Sequence, residues 1–373
     1  MKQTLLALML CASCFVLGQE KKDTAKWDVS NPPGQFNYQP HTFTTDEGTW
    51  MNLDVSPDGS TIVFDMMGGI YSIPSTGGKA TLLRGGIPFE IQPRFSPDGT
   101  KISFTSDAGG GDNIWIMNVD GSDAEQVTKE SFRLLNNAYW MPDGNYFVAR
   151  KHFTSQRSLG AGEMWQYHIT GGSGLQLTKP KKDQQDFNEP CVSPDGRYVY
   201  FSEDVYPGGF FQYNKDPNKQ IYVIKRYDLE TGKTERITGG PGGAARPQLS
   251  RDGKKLAFIK RVRTKTVLYL HDLETGEEWP LADDLNKDQQ EAWAIFGVYP
   301  NFNWMPNNKD LVYWNKGKIH KINIETLAVE VIPFTANVEL QIAETLRVDS
   351  PVAPENFEAK VIRNAVTSPD QRT

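Results

Sequence analysis

One four-residue turn recurs along the 373-residue chain. Ser56-Pro57-Asp58-Gly59, Ser96-Pro97-Asp98-Gly99 and Ser193-Pro194-Asp195-Gly196 are full copies. Met141-Pro142-Asp143-Gly144 and Ser250-Arg251-Asp252-Gly253 are near copies, and Met305-Pro306-Asn307-Asn308 is degenerate. Ser368-Pro369-Asp370-Gln371 begins a seventh copy. The third positions fall at 58, 98, 143, 195, 252, 307 and 370, so the period runs from 40 to 63 residues. A period of that size marks one supersecondary unit used repeatedly, each burying its apolar face against the next. The turn itself is structural: Pro presets its backbone angle, Asp bonds nearby amides and Gly accepts the left-handed geometry. Spread around an array, its carboxylates do not converge on a metal.

The residues around each turn read as strands. Short segments such as Gln92-Pro93-Arg94-Phe95 precede it, and apolar or alternating ones follow, among them Thr61-Ile62-Val63-Phe64 and Tyr198-Val199-Tyr200-Phe201. A third strand comes next (Ile114-Trp115-Ile116-Met117, Ile221-Tyr222-Val223-Ile224), then a second turn such as Asp228-Leu229-Glu230-Thr231-Gly232, then a last strand ending near Thr128, Thr178 or Thr238. Four antiparallel strands per unit predict an all-β chain, a β-propeller of four-stranded blades, six complete plus the start of a seventh.

The marks divide 46–373 into blades at about 46–84, 85–129, 130–179, 180–239, 240–283 and 284–335, with a seventh begun near 336. Within the 19–45 extension, Tyr38 to Thr44 ends 14 residues before Asp58, as Thr238 stands 14 before Asp252. That spacing predicts a ring-closing outermost strand whose blade is incomplete at the C-terminus. A ring left open there exposes strand edges that invite self-association.

Residues 1–18 form a predicted export signal: Lys2, an apolar run from Leu5 to Leu17, and a small-residue cleavage site at Gly18. Lipidation at Cys14 is an alternative that Cys11, three positions before it, fits badly. Cleavage after Gly18 leaves Cys191 alone, so no internal disulfide forms. The expected location is periplasmic or extracellular.

Forty basic against 46 acidic residues leave no electrostatic footprint for nucleic acid. Past the leader no apolar run reaches the length of a membrane span. Of the five histidines, none forms a His-x-His or His-Glu-x-x-His pair. No Gly-x-Ser-x-Gly elbow appears, and Gly232-Lys233-Thr234 lacks the first glycine of a phosphate loop. No catalytic, cofactor or metal residues are expected in this chain. The candidate binding residues sit on two long excursions. Arg150, Lys151 and His152 lead into the loop from Phe153 to Gly162, and Tyr206, Phe210 and Tyr213 belong to the insertion from Glu203 to Lys219.

Longer segments carry a resemblance: Trp27-Asp28-Val29-Ser30-Asn31-Pro32-Pro33-Gly34, Asp46-Glu47-Gly48-Thr49-Trp50-Met51-Asn52-Leu53-Asp54, Gly109-Gly110-Gly111-Asp112-Asn113-Ile114-Trp115, Arg150-Lys151-His152-Phe153-Thr154-Ser155 and Tyr213-Asn214-Lys215-Asp216-Pro217-Asn218. From about Lys26 onward the chain resembles the N-terminal TolB-like propeller of secreted, metal-dependent amidohydrolases. The resemblance implies a non-catalytic propeller that docks to, or gates access to, a catalytic domain beyond residue 373, where a divalent metal is expected. Its partner is then its own catalytic domain. The alternative is a stand-alone periplasmic TolB-like scaffold that binds an envelope protein. A propeller joined to an α/β-hydrolase serine peptidase is a third reading.

Overall fold

The computed structural model describes residues 28–32, 36–132, 134–152, 161–182, 185–208, 212, 214–345, 347, 350, 352–353, 355–356, 361 and 363–372. The predicted leader, 1–18, lies outside them, as do Phe210, Tyr213 and the loop residues 153–160. None of the described residues is helical, and so no helix is long and apolar enough to cross a membrane.

Each predicted turn forms, closed every time by a backbone bond from its fourth residue to its first. In the first, Gly59 donates its N–H to the Ser56 carbonyl at 2.9 Å with φ at 75°. The Ser56 hydroxyl bonds Asp58 at 2.6 Å and accepts the Thr61 N–H at 3.0 Å. The pattern recurs at Ser96/Asp98/Lys101, Ser193/Asp195/Tyr198 and Ser250/Asp252/Lys255. These donors hold the aspartates in the charged form: hydrogen bonds from Ser56 and Ser60 lower the Asp58 pKa to about 2. The seventh copy, exposed at Ser368–Gln371, makes the same turn, with Gln371 N–H on the Ser368 carbonyl at 2.8 Å.

Among the described residues, six antiparallel sheets of four strands follow. The first comprises Leu53–Val55, Thr61–Met66, Gly69–Pro74 and Thr81–Arg84. The third comprises Leu135–Trp140, Tyr146–His152, Gly162–His168 and Gly171–Gln176. The sixth comprises Asn303–Trp304, Asp310–Asn315, Lys318–Asn323 and Val329–Ile332. The second strands are apolar on both faces because each blade packs between two others; in the first blade Ile62, Val63 and Phe64 are all fully buried.

The ring closes within these six sheets. Leu53 donates its N–H to the Asn301 carbonyl at 3.3 Å, joining the first blade to the sixth. One apolar core runs through the seam, holding Leu53, Phe64, Leu270, Trp304, Trp314 and Phe334. The expected open ring is therefore corrected, and the strand expected to close it is placed elsewhere. Tyr38–Thr45 pairs antiparallel along its whole length with Phe334–Ala343, from Tyr38 opposite Ala343 to Thr45 opposite Ala336. Gly78–Lys79 adds to the other edge of that strand in parallel. Turn spacing marked Tyr38–Thr44 as an outer strand, but no repeated turn announces Phe334–Ala343, the partner that pairs with it.

Candidate functional site

The ring's axis is filled by polar side chains set by one repeated distortion. In the second to fifth blades the innermost strand bulges, and the bulged residue is left-handed: Gln92 (φ 59°), Asn137 (54°), Glu189 (60°) and Arg246 (57°). A bulge turns one side chain out of the sheet's alternation. Each of these four stands six positions before the third residue of its turn, as Asn52 and Asn301 do in the first and sixth blades. The six equivalent positions therefore form one layer across the axis.

That layer is a buried network. Gln92 and Asn137 exchange two bonds, Gln92 Nε2 to Asn137 Oδ1 and Asn137 N–H to Gln92 Oε1, both 2.9 Å. Asn137 Nδ2 donates to Asn188 Oδ1 at 2.9 Å. Asp65, on the first blade's second strand, accepts from Asn52 N–H and Nδ2 at 2.8 Å each and from Gln92 N–H at 2.7 Å. Burial nevertheless raises its pKa to about 6. Arg246, 2% exposed, lies 3.3 Å from Glu189 Oε1 and donates to Asn137 Oδ1 at 3.1 Å and to Asn301 Oδ1. Burial lowers its pKa to about 10, which leaves it a cation at neutral pH.

One end of the axis is stoppered by the chain between the fifth and sixth blades. Arg246 Nε donates to the Tyr299 carbonyl at 2.7 Å, and Gln92 Nε2 donates to the Phe296 carbonyl at 2.8 Å. Asn188 Nδ2 donates to the Ala294 carbonyl at 2.9 Å, while Val298 gives its N–H to Glu189. Gly297 (φ 110°) is needed there, since a Cβ at that position would lie 1.7 Å from Arg246 Nη2.

The opposite end is open. A cavity of about 220 Å³ is lined by Asp54, Arg94, Tyr139 and Arg251 and rimmed by turn prolines, including Pro57, Pro97, Pro142 and Pro194. Asp54, Arg94, Tyr139, Cys191, Gln248 and Asn303, each four positions before its turn's third residue, make this second layer. Gln248 Nε2 donates to Tyr139 Oη at 3.1 Å and to Asn303 Oδ1 at 3.0 Å. Burial pushes the Tyr139 hydroxyl and the Cys191 thiol up, so both stay protonated.

The residues singled out in the sequence lie beside the stopper rather than at the mouth. Arg150, Lys151 and His152 come together at the end of Tyr146–His152, all buried. Arg150 contacts His152 and pairs with Asp186 at 2.8 Å, and Lys151 pairs with Glu130 at 2.6 Å over the Trp165 ring. Burial, helped by Arg150, lowers the His152 pKa to about 2, so its imidazole is neutral. Tyr206 packs half-buried against Ile221, Tyr222, Ala245, Ala294 and Val298. No local sequence signal marks the axial residues, since each is an ordinary polar residue in or near a short strand. The signal is in the register: a polar residue stands six places ahead of the third residue of each turn. Among the described residues, no three His, Cys, Asp or Glu gather to hold a metal.

The comparisons agree with this architecture. The model of the TolB beta propeller domain matches residues 43–211. A putative tricorn-like protease C-terminal subunit of Sulfurisphaera tokodaii is 26% identical over 152 residues, 41% of this chain but 16% of that protein. An uncharacterized protein of Agrobacterium fabrum is 26% identical over 231 residues, 59% of this chain and 74% of that protein. The crystal structure of TolB from Acinetobacter baumannii superposes with a TM-score of 0.56 at 17% identity, over 77% of this chain and 65% of that one. The chain carries a TolB-like β-propeller domain.

Proposed function

We propose that this propeller is the non-catalytic part of an exported hydrolase of the amidohydrolase type, and that it docks to a catalytic domain beyond residue 373. The observation that carries the proposal is the stoppered axis, a rigid ring closed at one end. A substrate does not thread such a ring, so the propeller acts as a docking body and shapes the approach to the active site from outside. The protease of Sulfurisphaera tokodaii, matched over 16% of its length, supports a propeller serving a larger hydrolytic protein. The segments around Trp27, Asp46, Gly109, Arg150 and Tyr213 favour the amidohydrolase type. The divalent metal belongs to the catalytic domain, which supplies the ligands, and the leader at 1–18 directs export.

The test compares the protein encoded by the whole gene with residues 19–373, both assayed on amide and dipeptide substrates. The longer protein is expected to turn over and to lose activity on chelation, while residues 19–373 stay at blank. A stop codon directly after Thr373, or chelator-sensitive turnover by residues 19–373, overturns the proposal.

A further inference from the structure

We propose that the open mouth of the ring binds an organic carboxylate with an apolar body, its charge held by Arg251 and Arg94 and its body covered by the proline and aromatic rim. Arg251 is the odd residue of the repeat. Pro57, Pro97, Pro142, Pro194 and Pro306 fill the second turn position in the other five blades. Replacing Pro with Arg gives up a preset backbone angle and sets a cation on the rim. Arg251 donates to the neutral Val55 carbonyl at 2.9 Å and has no ion-pair partner among the described residues.

Arg94 lies deeper, 4% exposed, with its guanidinium 4.9 Å from the Tyr139 ring centre. Its Nη1 reaches Gln248 Oε1 at 3.3 Å and Asp54 Oδ1 at 3.6 Å, and its buried Nε has no partner. The one acid of the cavity is already engaged: Asp54 Oδ1 accepts from Asn303 and Oδ2 accepts the Phe95 N–H at 2.8 Å. Two cations thus face one satisfied carboxylate, leaving an excess of one positive charge. A planar monoanion matches that excess and the guanidinium fork, whereas a dianion exceeds it. Trp140, Val192 and Leu249 supply apolar lining.

Calorimetric titration of the protein with N-acetyl-L-phenylalanine and with its amide tests the inference, alongside intrinsic fluorescence. The acid is expected to bind about tenfold tighter than the amide, the worth of one charged hydrogen-bonded pair. Arg251→Pro restores the repeat's own turn residue; it should keep the melting temperature, weaken the acid about tenfold and leave the amide alone. Arg94→Lys, which keeps the charge, is a second variant expected to weaken the acid by losing the fork. Equal binding of acid and amide, no binding of either at millimolar concentration, or unweakened acid in Arg251→Pro overturns the proposal. Acetyl-Gly-Gly-Phe separates two sources within it: tighter binding identifies a peptide C-terminus, equal binding a free acid.

Discussion

Asn301 gives its backbone N–H to the side-chain oxygen of Asn52 at 3.0 Å, across 249 residues of sequence. The two occupy the same position in the sixth and first blades, so this bond joins the ends of the ring. Its neighbour Asn303 likewise donates to Asp54 in the first blade.

Asn52→Ala should therefore loosen the seam. It leaves the buried Asn301 N–H without an acceptor and removes the bond from Asn52 Nδ2 to Asp65, while the Asn52 N–H still donates to that carboxylate. A cost of about 1–3 kcal/mol is expected, read as a lower urea midpoint at unchanged slope. An unchanged midpoint would mean that the apolar core alone closes the ring.

Residues 19–373 should behave as a closed body. With the first and sixth blades joined at the seam and Tyr38–Thr45 paired along one edge with Phe334–Ala343, the open gap of an unfinished ring is absent among the described residues. Light scattering is expected to show a monodisperse monomer with one cooperative melt. Concentration-dependent association would restore the open-ring expectation.

Gly297→Ala should be among the most damaging single-methyl changes. The new Cβ would fall 1.7 Å from Arg246 Nη2, at a φ of 110°. Displacing a buried guanidinium from its partners costs about 3–5 kcal/mol. Gly276→Ala is the control: its φ is 78° but nothing lies within 4 Å, so only backbone strain of about 1–2 kcal/mol is expected. Equal losses in the two would show that Arg246 yields without consequence.

Asp65 gives a pH dependence opposite to that of most carboxylates. Its pKa is raised from 3.8 to about 6 by burial, so between those values the folded chain keeps a proton that the unfolded chain has released. Its contribution to stability is full below pH 3.8 and is lost as pH rises through about 6. The stability of the protein relative to Asp65→Asn should accordingly fall as pH rises across that window. A difference that stays flat with pH would place the carboxyl at its ordinary pKa.

His152 should not titrate near neutrality. With its pKa lowered to about 2 by burial and Arg150, its imidazole resonances should stay fixed from pH 5 to 8. A midpoint inside that range would require the site to open to water.

The sequence by itself determined the unit and its number. The Ser-Pro-Asp-Gly turn is a local device: Ser56, Asp58 and Gly59 satisfy one another within five residues, so four residues suffice to announce it. Strand alternation is local for the same reason, and together they specify six four-stranded blades. Ring closure, the stopper and the mouth depend on residues hundreds of positions apart. Nothing near Asn52 shows that its partner is Asn301, and nothing near Phe296 shows that its carbonyl caps Arg246. Arg150, Lys151 and His152 looked like a binding loop because their charges were visible and their burial was not. Charge is a property of a side chain, but exposure is decided by what the other blades place over it.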